Sequence, residues 1–233
     1  MTKTKGLQLN EVSKYYAEGS NRIAALDHVS ISVKPGEFVA VVGPSGSGKS
    51  TFLSVAGALL QASEGEAKLN GHSISTLTAQ ELANIRLQEI GFIMQSSNLV
   101  PYLTVLDQLL IIKRMSGKVK RKDKEFAVKL LEELGLGSKL NSFPEELSGG
   151  EKQRTAIARA LINNPGIILA DEPTASLDTK RAHEVVSLIA QEVKSGQKAA
   201  VMVTHDERML EYCDKVYRME DGRLSLAVLE SIV

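Results

Sequence analysis

The chain has 233 residues, of which 43% are hydrophobic and 24% charged, a composition typical of a globular protein with a substantial core. Basic and acidic residues both number 28, so the formal net charge is zero. This balance argues against the broad basic surface that non-specific nucleic-acid binding requires, and we predict no nucleic-acid partner. Aromatic residues make up only 4% and Trp is absent, which argues against an aromatic platform for sugars or bases. The single cysteine, Cys213, cannot form an internal disulfide, which favours a reducing compartment.

The first residues do not resemble a signal peptide, because an alternating segment follows them instead of an apolar stretch. No window approaches the roughly 18 apolar residues of a membrane span. The best candidate, residues 103–115, is interrupted by Asp107, Gln108, Lys113 and Arg114. We therefore expect any association with a membrane to occur through a partner.

The first part of the chain predicts strands that lead into a strand–loop–helix unit. Residues 7–15 and 25–33 alternate apolar and polar side chains, as half-buried strands do. Residues 38–42 are continuously apolar, the pattern of a strand covered on both faces. A glycine-rich stretch, 43–48, precedes a helical pattern over 49–60.

The rest of the chain predicts a helical insertion followed by a return to alternating strands and helices. Helical spacings in the middle cover 105–115, 126–134 and 149–163, and we place a mostly helical subdomain at about 92–165. The remaining predicted elements are strands at 167–170, 200–204, 215–220 and 224–229 and helices at 180–194 and 206–213. Buried strands that alternate with helices imply an α/β fold with a parallel core, and we place the sheet part of the chain at residues 1–91 and 166–233.

Residues 43–50 match the P-loop pattern GxxxxGK[ST], with a predicted strand before them and a predicted helix after them. The residues are Gly43, Pro44, Ser45, Gly46, Ser47, Gly48, Lys49 and Ser50, and Thr51 follows them. The glycines let backbone N–H groups converge on a phosphate, and the helix presents its positive end to the same point. Lys49 supplies a charge for the β- and γ-phosphates, and the Ser50 hydroxyl is placed for Mg²⁺. A chance match in a turn is the alternative, and the flanking strand and helix argue against it.

A second motif could hold the metal and activate water. The apolar run 167–170 ends in Asp171 and Glu172, and ligands of parallel sheets bind at the carboxyl ends of strands. Strand alternation would direct the two side chains apart, with Asp171 toward Mg²⁺ and Glu172 toward the γ-phosphate as general base. A solvated strand end is the alternative for this pair if it stood alone.

His205 follows the apolar run 200–204 and so reaches the same edge of the sheet. A lone histidine is more often structural or exposed. At this position, however, a contact with the γ-phosphate is the better prediction.

A second glycine-rich helix start lies far from the first, in the segment Leu147-Ser148-Gly149-Gly150-Glu151-Lys152-Gln153-Arg154. One nucleotide does not need two such sites on one chain. With this motif the sequence resembles the ATPase subunits of ABC transporters, whose signature is LSGGQ. The resemblance covers about residues 7–224, with every motif in the expected order. It implies a single P-loop NTPase domain over residues 1–233, with a RecA-like parallel core, an N-terminal antiparallel β subdomain and the inserted helical subdomain.

The resemblance also implies partners, cofactors and further site residues. It implies a head-to-tail homodimer with two ATP molecules and Mg²⁺ at the interface, each ATP held by one P-loop and by the partner's Ser148, Gly149 and Gly150. Gln95 looks like the glutamine that touches Mg²⁺ and the attacking water, and Asp178 looks like an aspartate that acts across the interface. An aromatic ring near the N-terminus should stack on adenine, and the spacing favours Tyr16 over Tyr15.

The variant signature LSGGEKQR and the segments around 91–104 and 204–208 are similar to the MacB-like subgroup, closest to its haem-efflux and antimicrobial-peptide ATPases. This implies an ATPase at the cytoplasmic face of the membrane that powers a separate permease, with export as the direction. Two alternatives are a complex that transmits force without transport and a soluble ATPase acting on DNA or ribosomes. The chain lacks the coiled coil, second ATPase domain or basic arm usual in the soluble class.

Overall fold

The computed structural model describes residues 6–18, 21–175 and 177–227, which form ten strands and six α-helices. The strands are β1 Leu7–Glu18, β2 Asn21–Val33, β3 Phe38–Val42, β4 Glu64–Leu69, β5 His72–Ser73, β6 Ile90–Ile93, β7 Ile167–Asp171, β8 Ala199–Val203, β9 Lys215–Glu220 and β10 Arg223–Leu226. The helices are α1 Lys49–Ala56, α2 Ala79–Glu89, α3 Val105–Ser116, α4 Arg121–Glu133, α5 Gly149–Leu161 and α6 Thr179–Gly196. Within these ranges no helix is long and apolar enough to cross a membrane.

The strands form two sheets. A four-stranded antiparallel sheet has the order β2-β1-β4-β5, and a six-stranded sheet has the order β10-β9-β3-β8-β7-β6. In the larger sheet β9, β3, β8, β7 and β6 are parallel neighbours, and β10 joins β9 in an antiparallel hairpin. The predicted α/β class with an antiparallel N-terminal part is therefore confirmed.

The parallel strands are covered on both faces. Alternate residues of β3, β7 and β8 divide between two buried clusters: Val39, Leu169 and Val201 join the one that contains α1, and Phe38, Ile168 and Ala200 join the one that contains α3 to α6. Such double coverage explains why these strands appear in the sequence as continuous apolar runs. It leaves the ends of the strands as the places where polar groups can gather.

Several element boundaries differ from the predicted ones. Helix α1 ends at Ala56 rather than at residue 60, because Gly57 and then Ala58, with φ of 55°, turn the chain. The predicted helix at 206–213 is a 3₁₀ helix, Glu207–Tyr212. Strand β6 keeps Phe92 and Ile93 in the large sheet, so the predicted start of the helical part at 92 is too early. Residues 228 and 229 of the last predicted strand lie outside the described residues.

Candidate active site

The glycine-rich loop joins β3 to α1 in a conformation that requires glycine. Gly46 and Gly48 have φ of 80° and 107°, in the left-handed region. A Cβ at Gly48 would run into the carbonyl oxygen of Ala25, whereas a Cβ at Gly46 would meet no atom within 4 Å. The loop thus presents bare backbone to open space, and the first N–H groups of α1, which have no partner in the preceding turn, point out of its end.

Lys49, the first residue of α1, is held on the loop. Its ammonium donates hydrogen bonds to the carbonyl oxygens of Gly43 and Pro44, both at 2.7 Å. An ammonium has three donors, so one remains for an anion beside the loop. Ser47 is buried, and its Oγ has no hydrogen-bond partner among the described residues. The backbone carbonyl of Ser47 accepts a hydrogen bond from Gly222 at 2.9 Å, which fixes the loop to the β9–β10 hairpin.

The two adjacent carboxylates lie at the end of β7, but strand alternation does not direct both of them. Asp171 is the last residue of the strand, and Glu172 has φ of 46°, which is uncommon for a residue with a side chain. The Glu172 N–H still donates to the carbonyl of Val203 on β8 at 2.9 Å, whereas the Glu172 carbonyl accepts from the Ala175 N–H at 3.2 Å, so the chain turns away directly after this last contact with the sheet. Glu172 therefore does not follow the strand alternation that we predict for it, although both carboxylates do line the same cleft. Such backbone strain typically gathers at active sites.

Burial disfavours the ionised form of the Asp171 carboxyl. Desolvation and then the neighbouring Glu172 carboxylate raise the pKa of Asp171, and the charge of Lys49 opposes them. A cation bound between these groups would relieve both destabilising effects. The donor set of one or two carboxylates and the Ser50 hydroxyl suits Mg²⁺, which in nucleotide sites takes its other ligands from phosphates and water. In the described part of the chain no three His, Cys, Asp or Glu side chains group as a dedicated metal site, and Mg²⁺ of this kind does not need one.

His205 is paired with Glu172. Its Nδ1 lies 2.9 Å from Glu172 Oε2, and its backbone N–H donates to the same oxygen at 3.4 Å. The glutamate is 15% exposed, whereas the histidine side chain is 71% exposed. The pair therefore has a fixed carboxylate and an imidazole that faces the open cleft.

These residues line one cleft of about 530 Å³ at the carboxyl ends of β3, β6, β7 and β8. The predicted site residues that line it are Gly43, Ser45, Gly46, Gly48, Lys49, Ser50, Thr51, Gln95, Asp171, Glu172 and His205. Pro44 and Ser47 belong to the loop but do not contribute to the lining. Ala25 and Val203 also line the cleft, and their small apolar side chains gave no signal in the sequence.

Tyr16 lies on β1, outside the lining of the cleft. Its side chain is 47% exposed, opposite Ile23 of β2, and the Lys14 ammonium is 5.8 Å from its ring centroid. Tyr15 is more engaged, since its hydroxyl donates to Glu64 at 3.4 Å. The exposed ring of Tyr16 is thus the freer one, and its role with adenine stays a prediction.

The second glycine-rich motif lies outside this cleft, at the start of α5. Ser148 is the N-cap: its hydroxyl accepts from the Glu151 N–H at 3.4 Å, and Glu151 accepts from the Ser148 N–H at 2.8 Å. The hydrogen bond from the Ser148 N–H, and after it one from the Ser148 hydroxyl, lowers the pKa of the Glu151 carboxyl. Glutamate in place of the family's commoner glutamine therefore completes a charged capping box. Asp178 similarly caps α6, accepting from the Arg181 N–H at 3.0 Å.

A phosphate-binding loop, a carboxylate pair and a histidine around one cleft define a P-loop enzyme that hydrolyses a nucleoside triphosphate. Residues 26–175 match the family described as ABC transporter. A relative from Staphylococcus haemolyticus is 45% identical over 220 residues, 94% of this chain and 99% of the relative, and its name, given provisionally, is hemin import ATP-binding protein HrtA. A relative with the same name from Staphylococcus aureus strain MRSA252 is 44% identical over 219 residues, with 94% and 99% coverage.

Solved structures agree with this assignment. The dimeric post-hydrolysis state of the ATP-binding cassette MJ0796 bound to ADP and Pi has a TM-score of 0.85 and 38% identity, with 96% of this chain and 98% of that chain covered. CbiO1 from Clostridium perfringens, part of the ABC transporter complex cbiONQ, has a TM-score of 0.85 and 27% identity, with 96% and 88% coverage. The chain belongs to the ABC transporter family. It is an ATPase that uses ATP and Mg²⁺, which confirms the predicted resemblance, activity and cofactors.

Proposed function

We propose that two copies of this chain associate head to tail, so that each cleft is completed by the partner's Ser148, Gly149, Gly150 and Asp178. The observation that carries this proposal is the separation of the two motifs: the cleft holds the P-loop and carboxylates, while the second glycine-rich helix start lies outside its lining. A dimeric form of a similar cassette supports it. In this arrangement the P-loop residues 43–51 hold the phosphates, and Ser50, Gln95 and Asp171 hold Mg²⁺, which neutralises phosphate charge when bound.

The other proposed roles follow from the geometry around Glu172. The carboxylate accepts a proton from the attacking water as general base, and His205, exposed to the cleft, contacts the γ-phosphate. Gln95, after β6, orients the water and joins the metal ligands. Tyr16, on β1, stacks on adenine.

Gly149 gives the sharpest test of the shared site. A Cβ at Gly149 would meet no atom within 4 Å, so Gly149→Arg should fold while blocking the partner's nucleotide. Each of Gly149→Arg and Lys49→Ala alone should be inactive. In an equal mixture of the two variants, about half of the dimers are mixed, and each mixed dimer contains one intact site of two. The mixture should therefore recover up to about a quarter of wild-type activity. Failure to recover activity, with mixed dimers shown to form, would contradict the shared site. Ser148→Arg is a poorer choice because it also removes the helix cap, at a cost of about 0.5–2 kcal/mol.

We infer that a separate membrane permease binds this ATPase at the cytoplasmic face. The segment after Gln95 contains Tyr102, whose side chain is 79% exposed. Met94, which immediately precedes Gln95, is 49% exposed. Tyrosine is enriched at protein interfaces, so its exposure on the segment that follows Gln95 supports a contact with a protein partner. Residues 96–103 would then transmit movements of the Gln95 loop to the permease.

We propose haem or a related porphyrin as the cargo and export as the direction. The similarity to the provisionally named hemin ATP-binding proteins supports the cargo. Those names say import, whereas the signature and flanking segments resemble the MacB-like efflux ATPases, which supports outward movement.

Vesicles that contain the ATPase and its permease would decide the direction and the function. With ATP on the side of this chain, haem should move to the opposite side, and Glu172→Gln should stop it. Movement toward the ATP side would establish import and overturn the proposed direction. Permease-stimulated hydrolysis without haem flux would instead favour a complex that only transmits force.

A further inference from the structure

Arg159 is a half-buried guanidinium near the end of α5. Its Nη2 donates to the carbonyl oxygen of Ser97 at 2.7 Å and its Nη1 to that of Asn98 at 2.8 Å. Among the described residues it has no carboxylate partner within the 4.0 Å of a salt bridge, and burial lowers the pKa of its guanidinium. Its two strong hydrogen bonds therefore go to the backbone of one loop, and that loop begins just after Gln95.

The backbone conformation of the loop after Gln95 directs two carbonyl groups toward Arg159. Asn98 has φ of 43°, in the left-handed region, and this turn lets two successive carbonyls face one guanidinium. On the other side of Gln95, the carbonyl of Met94 accepts from Gln153 Nε2 at 3.4 Å, and Gln153 also belongs to α5. Gln95 is thus flanked on both sides by backbone groups that α5 holds.

The C-terminal end of α5 packs closely against the large sheet. Gly91 of β6 lies so close to the helix that a Cβ there would be 2.7 Å from the Ala160 carbonyl oxygen. Ser148, the cap of α5, and Arg159 lie eleven residues apart along this rigid helix, about 17 Å at 1.5 Å per residue. A change in the tilt of α5 therefore acts on the second glycine-rich motif and on the Gln95 loop together.

We propose that Arg159 is a positioning residue that fixes the Gln95 loop to α5, so that the same helix sets the place of Gln95 in the cleft and of Ser148–Gly150 at the interface. This proposal rests on the function proposed for Gln95. Arginine is required because its planar fork reaches two carbonyls at once, whereas the lysine ammonium is a single point on a flexible stem.

The test compares Arg159→Lys with Arg121→Lys, which makes the same change in an exposed ion pair on α4. Limited proteolysis with subtilisin should cleave the chain between residues 95 and 99 about tenfold faster in Arg159→Lys, with α5 still uncut. The kcat for ATP should fall about tenfold with KM within about twofold, because a misplaced group affects turnover more than nucleotide binding. Arg121→Lys should match the wild type in all three measurements.

An unchanged rate of cleavage at 95–99 in folded Arg159→Lys would overturn the proposal. If that variant does not fold, Arg159→Gln is measured with and without methylguanidinium, which should restore slow cleavage at 95–99 and part of kcat. Absence of rescue in both measurements would also overturn it.

Gln95→Ala separates this inference from the function on which it rests. Full ATPase activity in Gln95→Ala would remove the function proposed for Gln95 while leaving the cleavage result for Arg159 intact. Reduced activity in Gln95→Ala together with an unchanged rate of cleavage in Arg159→Lys would instead reject Arg159 alone.

Discussion

Gln108 interrupts an apolar stretch of α3, and the structure shows that its polarity is used internally. The side chain is fully buried, and its Nε2 donates to the carbonyls of Val100 and Leu103 at 2.7 and 3.1 Å. Its Oε1 accepts from the Val100 N–H at 3.1 Å. One amide therefore braces the segment 100–103 that we propose to contact the permease.

Gln108→Met keeps the length of the side chain and removes these three hydrogen bonds. A buried backbone group left without a partner costs about 1–3 kcal/mol. Val100 and Leu103 are half-buried, so water can replace part of the loss, and we expect destabilisation of about 2–4 kcal/mol. For a chain of this length that lowers Tm by about 4–16 °C.

Thermal unfolding followed by circular dichroism measures this change. Gln191→Met, at an exposed position of α6, is the matched control and should leave Tm within about 2 °C of the wild type, as surface substitutions usually do. The same small shift for Gln108→Met would refute the reasoning, since it would mean that the three hydrogen bonds add nothing to stability.

Three further predictions concern the cleft. Glu172→Gln should bind ATP normally and lower turnover by about 10²–10⁴-fold in a steady-state ATPase assay, as loss of a general base does, and rapid hydrolysis would reject the assignment. Asp171→Asn should abolish Mg²⁺-dependent hydrolysis yet raise Tm in thermal unfolding at pH 7, because it removes a carboxylate that burial and Glu172 destabilise. The pKa of Asp171 is raised in the folded state, so the stability of the wild type falls as pH rises from the unfolded pKa of 3.8 through the folded pKa. The gain in Asp171→Asn should therefore shrink toward pH 4. An equal gain at pH 4 and pH 7 would show that ionisation of Asp171 is not its cause. Gly48→Ala should lower both Tm and ATP affinity, measured by unfolding and calorimetry, because its Cβ meets the Ala25 carbonyl, and unchanged values would refute the clash.

The parallel core and the convergence of the site were predictable because both follow from local patterns. The continuous apolar runs at β3, β7 and β8 indicated strands covered on both faces, and parallel strands end at one edge. The carboxylates and His205 had therefore to lie near the P-loop once their strands were assigned. The cleft brings together eleven of the predicted residues on this basis.

The region between residues 64 and 93 was not predicted, because its elements lack apolar periodicity. Helix α2 buries only Leu82, and its start is marked instead by a capping box of Thr78 and Glu81. Strand β6 contains Gly91, which weakens a strand signal but is needed where the Ala160 carbonyl approaches. Both elements depend on tertiary contacts that the spacing of apolar residues does not report.

The left-handed backbone conformation of Glu172 could not be predicted from the sequence either. Nothing in the run from Ile167 to Glu172 distinguishes a sixth strand residue from a turn. Glu172 is held in this conformation by the hydrogen bond from its N–H to Val203 and by the pairing of its carboxylate with His205, both on the neighbouring segment. Strand alternation therefore predicts the correct cleft for Glu172, although the residue does not have the strand conformation on which that prediction depends.

Substitution by alanine should change Tm differently at Gly149 and at Gly150. This difference tests the contact between the glycine-rich start of α5 and Arg181 of α6. A Cβ at Gly150 would lie 3.2 Å from Arg181 Cδ, and the Arg181 guanidinium pairs with Asp178 at 3.3 Å, whereas a Cβ at Gly149 meets no atom within 4 Å. Gly149→Ala should therefore gain helix propensity of up to about 1 kcal/mol. Gly150→Ala should lose most of that gain, because Arg181 must move away from Asp178 to make room. We expect Tm values about 2–4 °C apart in thermal unfolding, and equal values would show that Arg181 shifts freely and does not join the signature to the Asp178 cap.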